Sequence, residues 1–157
     1  MLKKFKADLH IHSCLSPCSD WAMSPKKIIQ QSLDVGLDVI GLCDHNSAEN
    51  AAATMREGQR QGVQVLPGME ICSKEEVHIL ALFDELEPAL EMQAYVYANL
   101  PGENKTEVFG FQVIANEHDE VIGENPRLLI GATRLGLHDI VAKTHVLGGI
   151  NISCHVD

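Results

Sequence analysis

Apolar and polar positions along this chain repeat with two periods, one typical of strands and one typical of helices. Short apolar runs with strand character lie at 5–12, 38–43, 63–66, 69–72, 77–83 and 150–154. Helical patterns lie between them, at 25–35, 47–60, 85–100 and 137–147. The first helical pattern opens on Ser24-Pro25, which is typical of a helix N-terminus, and Pro67-Gly68 predicts a bend between two runs. Strands that alternate with helices predict an α/β fold with about five core strands in a parallel sheet.

The stretch around 106–125 departs from this alternation. Residues 111–115 and 120–123 flank Asn116-Glu117-His118-Asp119, a pattern that predicts a β-hairpin insertion with a four-residue turn. Such an insertion is either a lid over a site or a peripheral hairpin. Because no repeat, low-complexity segment or linker interrupts the chain, we expect 1–157 to form a single domain.

Composition and charge narrow the class of protein. Of the 157 residues, 45% are hydrophobic and 22% are charged, which is ordinary for a globular protein. Acidic residues outnumber basic ones by 22 to 12, for a formal net charge of -10. Because non-specific duplex binding depends on Lys and Arg, this balance argues against stable binding to duplex DNA. It still allows a phosphorylated substrate where metal ions supply positive charge.

Two further absences in the sequence point to a cytoplasmic protein. No run of 18 apolar residues and no signal-peptide pattern is present, so we expect no membrane association. The five cysteines include no Cys-x-x-Cys pair, and their odd number is unlike a disulfide framework. We therefore expect reduced thiols.

Histidine and carboxylate side chains fall at five of the predicted strands. They are His10 and His12, Asp44 and His45, Glu70, His78, and His155. Because functional groups in parallel α/β folds meet where the strands end, we expect these side chains to converge. A His-x-His pair on a strand puts both rings on one face, which suits zinc, iron or manganese. An isolated histidine in a strand is more often a core residue, but five such positions together predict a metal site.

Four motifs at these positions resemble those of the PHP (polymerase and histidinol phosphatase) superfamily. They are Asp8-Leu9-His10-Ile11-His12-Ser13, Cys43-Asp44-His45-Asn46, Gly68-Met69-Glu70-Ile71 followed by His78, and Ser153-Cys154-His155-Val156-Asp157. Their order and spacing match over the whole chain, and the chain looks most similar to small stand-alone PHP proteins. The resemblance implies a distorted (β/α)7-type barrel with two or three divalent metal ions (Zn, Mn or Fe) at one rim.

The same resemblance assigns roles to individual residues. His10 and His12 would hold a first metal, and Glu70 would bridge it to a second that His78 and His155 complete. His45 would belong to a third metal together with Cys18, where several relatives carry His; the alternative for Cys18 is an ordinary loop thiol. Asp8 and Asp44 are either carboxylates that orient the imidazoles or ordinary strand-end and turn residues.

One part of the family pattern is missing from this sequence. The family closes its site with an Asp-x-His motif on a last strand, and this chain stops at Asp157 before any such segment. Asp157 has no histidine after it and lies too close to His155 to serve as the missing motif. We therefore expect a barrel that is incomplete at its C-terminal end, with the run at 150–154 as an exposed strand edge through which chains could self-associate.

The resemblance implies a metal-dependent phosphoesterase in which a hydroxide shared by two metals attacks phosphorus. His10, His12 and Glu70 would hold the metals that activate this water. The expected substrate is a small phosphorylated metabolite, a nucleotide or a short oligonucleotide. Two alternatives stay open: a non-catalytic metal-binding or structural PHP module, and an amidohydrolase-type metallohydrolase. The remaining histidines, His118, His138 and His145, are expected at the surface.

Overall fold

The computed structural model describes residues 2–154. Within that range the α-helices and strands are β1 (Ala7–Ile11), α1 (Pro25–Asp34), β2 (Val39–Leu42), α2 (Ala51–Gln61), β3 (Gln64–Cys72), β4 (His78–Leu82), α3 (Leu86–Tyr97), α4 (Thr106–Phe109), β5 (Val113–Ala115), β6 (Val121–Glu124), α5 (Leu137–Val146) and β7 (Ile150–Ser153). None of these helices has the length and apolar character needed to cross a membrane.

Five strands form one curled sheet in the order β1, β2, β3, β4, β7. The first three strands are parallel, whereas β4 is antiparallel to both of its neighbours. The α/β fold with five core strands is therefore confirmed as a half-barrel, but the expectation of a parallel sheet is wrong at β4. Only residues 73–77 separate β3 from β4, which is too short for the crossover that a parallel pair needs.

β3 is one continuous strand that changes partner midway. Its first half pairs with β2 through Pro67, and from Gly68 onward it pairs with β4. A Cβ atom at position 68 would lie 2.5 Å from the carbonyl oxygen of Ala81, so glycine permits this close approach. The predicted bend at Pro67-Gly68 is thus a switch of partner within a strand, not a break between two strands.

The four predicted helices are present as α1, α2, α3 and α5, with a later start for α2, whereas the short helix α4 lies where the sequence predicts only a hairpin insertion. α1 begins at Pro25 directly after Ser24, as expected. α2 begins at Ala51, four residues later than the pattern predicts. The preceding residues are held by α3 instead, because the Ala48 N–H donates to Gln93 Oε1 and the Ser47 hydroxyl bonds the Tyr97 hydroxyl.

A continuous apolar core packs the helices against the sheet. Its fully buried members include Ile29, Ile40, Met69, Ile71, Met92 and Ile140. Burying a side chain of this size stabilises the fold by roughly 1.5–3 kcal/mol. The core fixes β1, β2 and β3 relative to one another, and these strands position most of the polar cluster described below.

The predicted hairpin is present as β5 and β6, which pair antiparallel. The Val113 N–H donates to the Cys14 carbonyl oxygen, and the Ala115 N–H donates to Asn50 Oδ1. The hairpin is therefore attached to the loop after β1 and to the start of α2, and is not a free peripheral element.

Two strand edges are open within the described residues. β1 and β7 lie at the ends of the sheet, and Ile150 on β7 is more than half exposed. This geometry agrees with the incomplete barrel expected from the sequence. Self-association through β7 stays a prediction.

Candidate metal centre

The Glu70 carboxylate lies among four imidazole rings, although only 1% of Glu70 is exposed. Its Oε2 atom is 3.1 Å from His10 Nε2, 3.0 Å from His12 Nε2 and 3.6 Å from His45 Nδ1. Its Oε1 atom is 2.8 Å from His78 Nδ1. The structure therefore brings together five predicted site residues from four segments of the chain.

The strands place these side chains for simple reasons of geometry. His10 and His12 are two residues apart at the end of β1, and their Nε2 atoms lie 3.0 Å apart. His45 follows β2 and is paired in parallel with Glu70. His78 opens β4, and because β4 is antiparallel, its first residue lies beside Cys72 at the end of β3.

Among residues 2–154, potential ligand atoms form three overlapping groups, within each of which they lie no more than 4.8 Å apart. The groups are His10, His12 and Glu70; His45, Glu70 and His78; and His12, Cys18 and His45. Glu70 is shared by the first two groups. His45, which the resemblance gave to a third metal alone, belongs to two groups.

The other residues singled out in the sequence lie in different surroundings. Asp8 is exposed, and its carboxylate accepts a hydrogen bond from the His10 backbone N–H. His155 and Asp157 lie outside the described residues. The described part of this segment ends at Cys154, whose N–H donates to the His78 carbonyl oxygen at 3.1 Å. His118, His138 and His145 are exposed, as predicted.

Burial and hydrogen bonds within the cluster shift the pKa values of Glu70 and of two neighbouring histidines. Burial raises the pKa of Glu70, but hydrogen bonds from His12 and His78 outweigh this effect and hold the pKa well below its usual value. Burial lowers the pKa of His12, but its hydrogen bonds to Cys18 and Glu70 raise it to about 10. Burial, reinforced by the charge on His12, lowers the pKa of His45 to about 4.

The donor set fits divalent cations. His45 Nδ1 is buried and has no hydrogen-bond partner within the described residues, which costs about 1–3 kcal/mol unless this nitrogen binds something else. Imidazole nitrogens with a carboxylate are the ligands of open zinc sites and of related transition-metal sites. A cation between these atoms would offset both the buried charge of Glu70 and the orphaned nitrogen of His45.

Comparison with known protein families shows to which family this chain belongs. A family model for the PHP domain matches residues 8–145. The chain belongs to the PHP domain family. The resemblance stated from the sequence motifs is therefore confirmed.

Two curated relatives share part of this PHP domain. A 5'-3' exoribonuclease from Haemophilus influenzae is 31% identical over 94 residues, which is 57% of this chain and 32% of the relative. A phosphoribosyl 1,2-cyclic phosphate 1,2-diphosphodiesterase from Eggerthella lenta is 33% identical over 89 residues, 53% of this chain and 33% of the relative. The matched region thus spans about a third of the length of each relative.

A solved structure shares the fold of this PHP domain over nearly its whole length. It comes from Bifidobacterium adolescentis, is assigned as a metal-dependent phosphoesterase, and matches with a TM-score of 0.64 at 16% identity. The match covers 98% of this chain and 68% of the other. At this identity the likeness establishes the fold, including the half-barrel seen here.

A second buried carboxylate, that of Asp44, is linked to the histidine cluster of this PHP domain through hydrogen bonds to serines. Asp44 Oδ1 accepts hydrogen bonds from the Ser13 N–H and the Ser16 hydroxyl, both at 2.7 Å, and Oδ2 accepts from the Ser13 hydroxyl at 2.6 Å. Ser16 in turn contacts His12 Nδ1 at 3.0 Å. Asp44 thus reaches an imidazole through a serine. Sequence reasoning alone assigns no role to Ser13 or Ser16.

Asn46 is another residue whose role sequence reasoning misses. Its backbone adopts a φ of 50°, in the left-handed region that asparagine tolerates. Its side chain accepts from the Cys72 N–H and donates to the carbonyl oxygens of Leu129 and Gly131. Asn46 therefore joins the end of β2, the end of β3 and the 129–131 loop immediately beside His45.

Proposed function

We propose that this PHP domain is a metal-dependent phosphoesterase. The observation that carries the proposal is the position of Glu70, a single buried carboxylate whose two oxygens face different imidazoles. A carboxylate shared in this way suits two neighbouring cations, which is the arrangement of many phosphoester-cleaving enzymes. The names of the two curated relatives, an exoribonuclease and a diphosphodiesterase, support the same reaction class.

The side chains divide into two cation positions around Glu70. His10 and His12 would hold one cation together with Glu70, and His45 and His78 would hold the other. By the family resemblance, His155 would complete the second position. Cys18 would join His12 and His45 at a third position. Divalent ions held there supply the activation of water and the positive charge that offsets a phosphate group.

The charge of the chain restricts the substrate. With a formal net charge of -10, the protein repels anions except where bound cations reverse the local field. We therefore propose a small phosphorylated substrate, such as a metabolite, a nucleotide or a short oligonucleotide, and no stable binding to duplex DNA. The relatives' names favour a phosphodiester of a ribose or of RNA.

Release of phosphate or nucleotide from a panel of esters tests the proposal. The panel comprises phosphomonoesters, cyclic phosphodiesters and short oligoribonucleotides, each assayed with Mn²⁺, Fe²⁺ or Zn²⁺ after chelation of the purified chain. His78→Asn should reduce turnover by at least about tenfold, as expected for a metal ligand. His145→Asn, at an exposed histidine on α5 outside the four motifs, is the matched control and should retain turnover.

Two results would contradict the proposal. Turnover that persists in the chelated protein, or that His78→Asn leaves unchanged, would separate the activity from this site. Metal binding with no turnover of any ester would leave a metal-holding module without catalysis.

A further inference from the structure

Ser16 occupies a completely buried position between Asp44 and the metal-binding histidines. Its hydroxyl oxygen is 2.7 Å from Asp44 Oδ1, 3.0 Å from the backbone nitrogen of His45 and 3.0 Å from His12 Nδ1. A serine hydroxyl has one hydrogen to donate and two lone pairs that accept. Three contacts therefore use its whole capacity.

The other partners of Asp44 determine where the hydrogens lie. The Ser13 hydroxyl accepts from Asn50 Nδ2 at 2.9 Å and from the Leu15 N–H at 3.2 Å, so its own hydrogen goes to Asp44 Oδ2 at 2.6 Å. Oδ1 already accepts the Ser13 N–H at 2.7 Å. An ionised carboxylate surrounded by donors can only accept, so the Ser16 hydrogen points to Asp44.

This arrangement leaves one role for His12 Nδ1. The His45 N–H can only donate, and it takes one lone pair of the Ser16 oxygen. The second lone pair faces His12 Nδ1, so that ring nitrogen must carry a hydrogen. The opposite ring nitrogen, Nε2, is the atom that lies 3.0 Å from Glu70 Oε2.

We propose that Ser16 is a positioning residue that couples Asp44 to His12. It holds His12 with hydrogen on Nδ1, so that Nε2, the ring nitrogen facing Glu70, is the one that gives up its hydrogen when a divalent cation binds. The inference rests on the proposed metal-dependent function. Partners of this kind fix the tautomer and raise the basicity of a histidine ligand, and losing one typically weakens metal affinity about 10–100-fold.

Nitrogen-15 NMR of the zinc-loaded protein, combined with zinc affinities from chelator competition, tests the proposal. The His12 ring should show a hydrogen on Nδ1 and none on Nε2. Ser16→Ala should weaken zinc binding about 10–100-fold, and Ser16→Thr, which keeps a hydroxyl, should recover most of that loss.

Two matched serine variants separate positioning from packing. Ser13→Ala removes an equally buried hydroxyl from the same carboxylate, but that hydroxyl bonds Asp44, Leu15 and Asn50 and not the His12 ring, so the variant should lower the melting temperature with a smaller change in zinc affinity. Ser19 Oγ has no hydrogen-bond partner in the part of the chain that the structure describes, so Ser19→Ala should match the parent in both measurements.

The outcomes decide the proposal without ambiguity. Hydrogen on His12 Nε2 of the zinc-loaded parent would overturn it, and so would equal losses of zinc affinity in Ser13→Ala and Ser16→Ala. If Ser16→Ala does not fold, the tautomer of the parent and the affinity of Ser16→Thr still decide the question. Zinc binding with the expected tautomer but no ester hydrolysis would support the role of Ser16 while contradicting the proposed function.

Discussion

Glu70 and Asp44 are two buried carboxylates, each 1% exposed, on neighbouring backbone segments. The Glu70 N–H donates to the Asp44 carbonyl oxygen, so the two residues also share a backbone hydrogen bond. Their surroundings nevertheless push their pKa values in opposite directions. Hydrogen bonds from His12 and His78 overcome burial and lower the pKa of Glu70, whereas burial outweighs the serine hydrogen bonds and raises the pKa of Asp44.

The pKa values of Glu70 and Asp44 shift in opposite directions because their hydrogen-bond partners differ in chemistry. Asp44 is surrounded by the N–H and hydroxyl groups of Ser13 and the hydroxyl of Ser16. These are neutral donors that keep their hydrogens near neutral pH. Glu70 is surrounded by imidazoles, whose nitrogens can lose a proton and bind a metal instead. At equal burial, one carboxylate is thus held by neutral donors, whereas the other has the surroundings that we propose bind cations.

The largest expected effect comes from Glu70→Gln. The substitution keeps the shape of the side chain and removes the negative charge that both cation positions share. We expect the metal content of the purified protein, measured by elemental analysis, to fall to less than half that of the parent. Glu57→Gln changes a buried glutamate that is paired with Arg60 on α2, and it should retain the metal content of the parent. Equal metal content in the Glu70→Gln variant and the parent would show that Glu70 is not shared.

Asp44→Asn should affect folding most. The amide replaces an acceptor with a donor that faces the N–H and hydroxyl donors of Ser13 and Ser16, so at least one buried hydrogen bond is lost. We expect the free energy of unfolding to fall by about 2–3 kcal/mol in urea denaturation. Asp8→Asn, at an exposed carboxylate, should stay within about 0.5 kcal/mol of the parent. Similar losses at both positions would show that the buried hydrogen bonds of Asp44 stabilise the fold no more than an exposed carboxylate does.

The smallest effect concerns His45 in the metal-free protein. Its pKa lies near 4 in the folded state, against an ordinary value of 6.5, so the unfolded chain binds a proton more readily in that interval. His45 therefore stabilises the fold above pH 6.5, and this contribution is lost as the pH falls toward 4.

Urea midpoints measured with a chelator at pH 6.5 and about pH 5 check this expectation. The parent should lose more stability over this interval than His45→Asn, and His145→Asn should follow the parent. Identical pH dependence in the parent and in His45→Asn would show that His45 is not held neutral beside Glu70.

The sequence predicts the cluster of imidazoles with Glu70, but it does not predict the serine contacts of Asp44. His10, His12, His45, Glu70 and His78 are chemically distinctive and fall at regular positions on strands, so their convergence can be expected from the sequence alone. Ser13, Ser16 and Asn46 are short polar residues in loops, where turn formation is the ordinary explanation. Their function depends on contacts across tens of residues that no local pattern reveals.

The fold shows the same limit of local reasoning. Apolar periodicity locates the strands and helices, but the direction of β4 depends on the short connection after β3. The partner switch at Pro67-Gly68 also depends on a neighbour, since Ala81 makes the close contact at Gly68. Strand pairing is a long-range property, so proline followed by glycine indicates only a bend when the sequence is considered locally.

An anomalous difference map from crystals of the full chain soaked with Zn²⁺ tests the central claim most directly. Data collected at the zinc absorption edge should show one peak among His10, His12 and Glu70 and a second among His45, Glu70 and His78. Zinc–nitrogen distances of about 2.0–2.1 Å are expected at both. Peaks located elsewhere, or an ordered crystal with none beside Glu70, would contradict the assignment of this cluster as a metal centre.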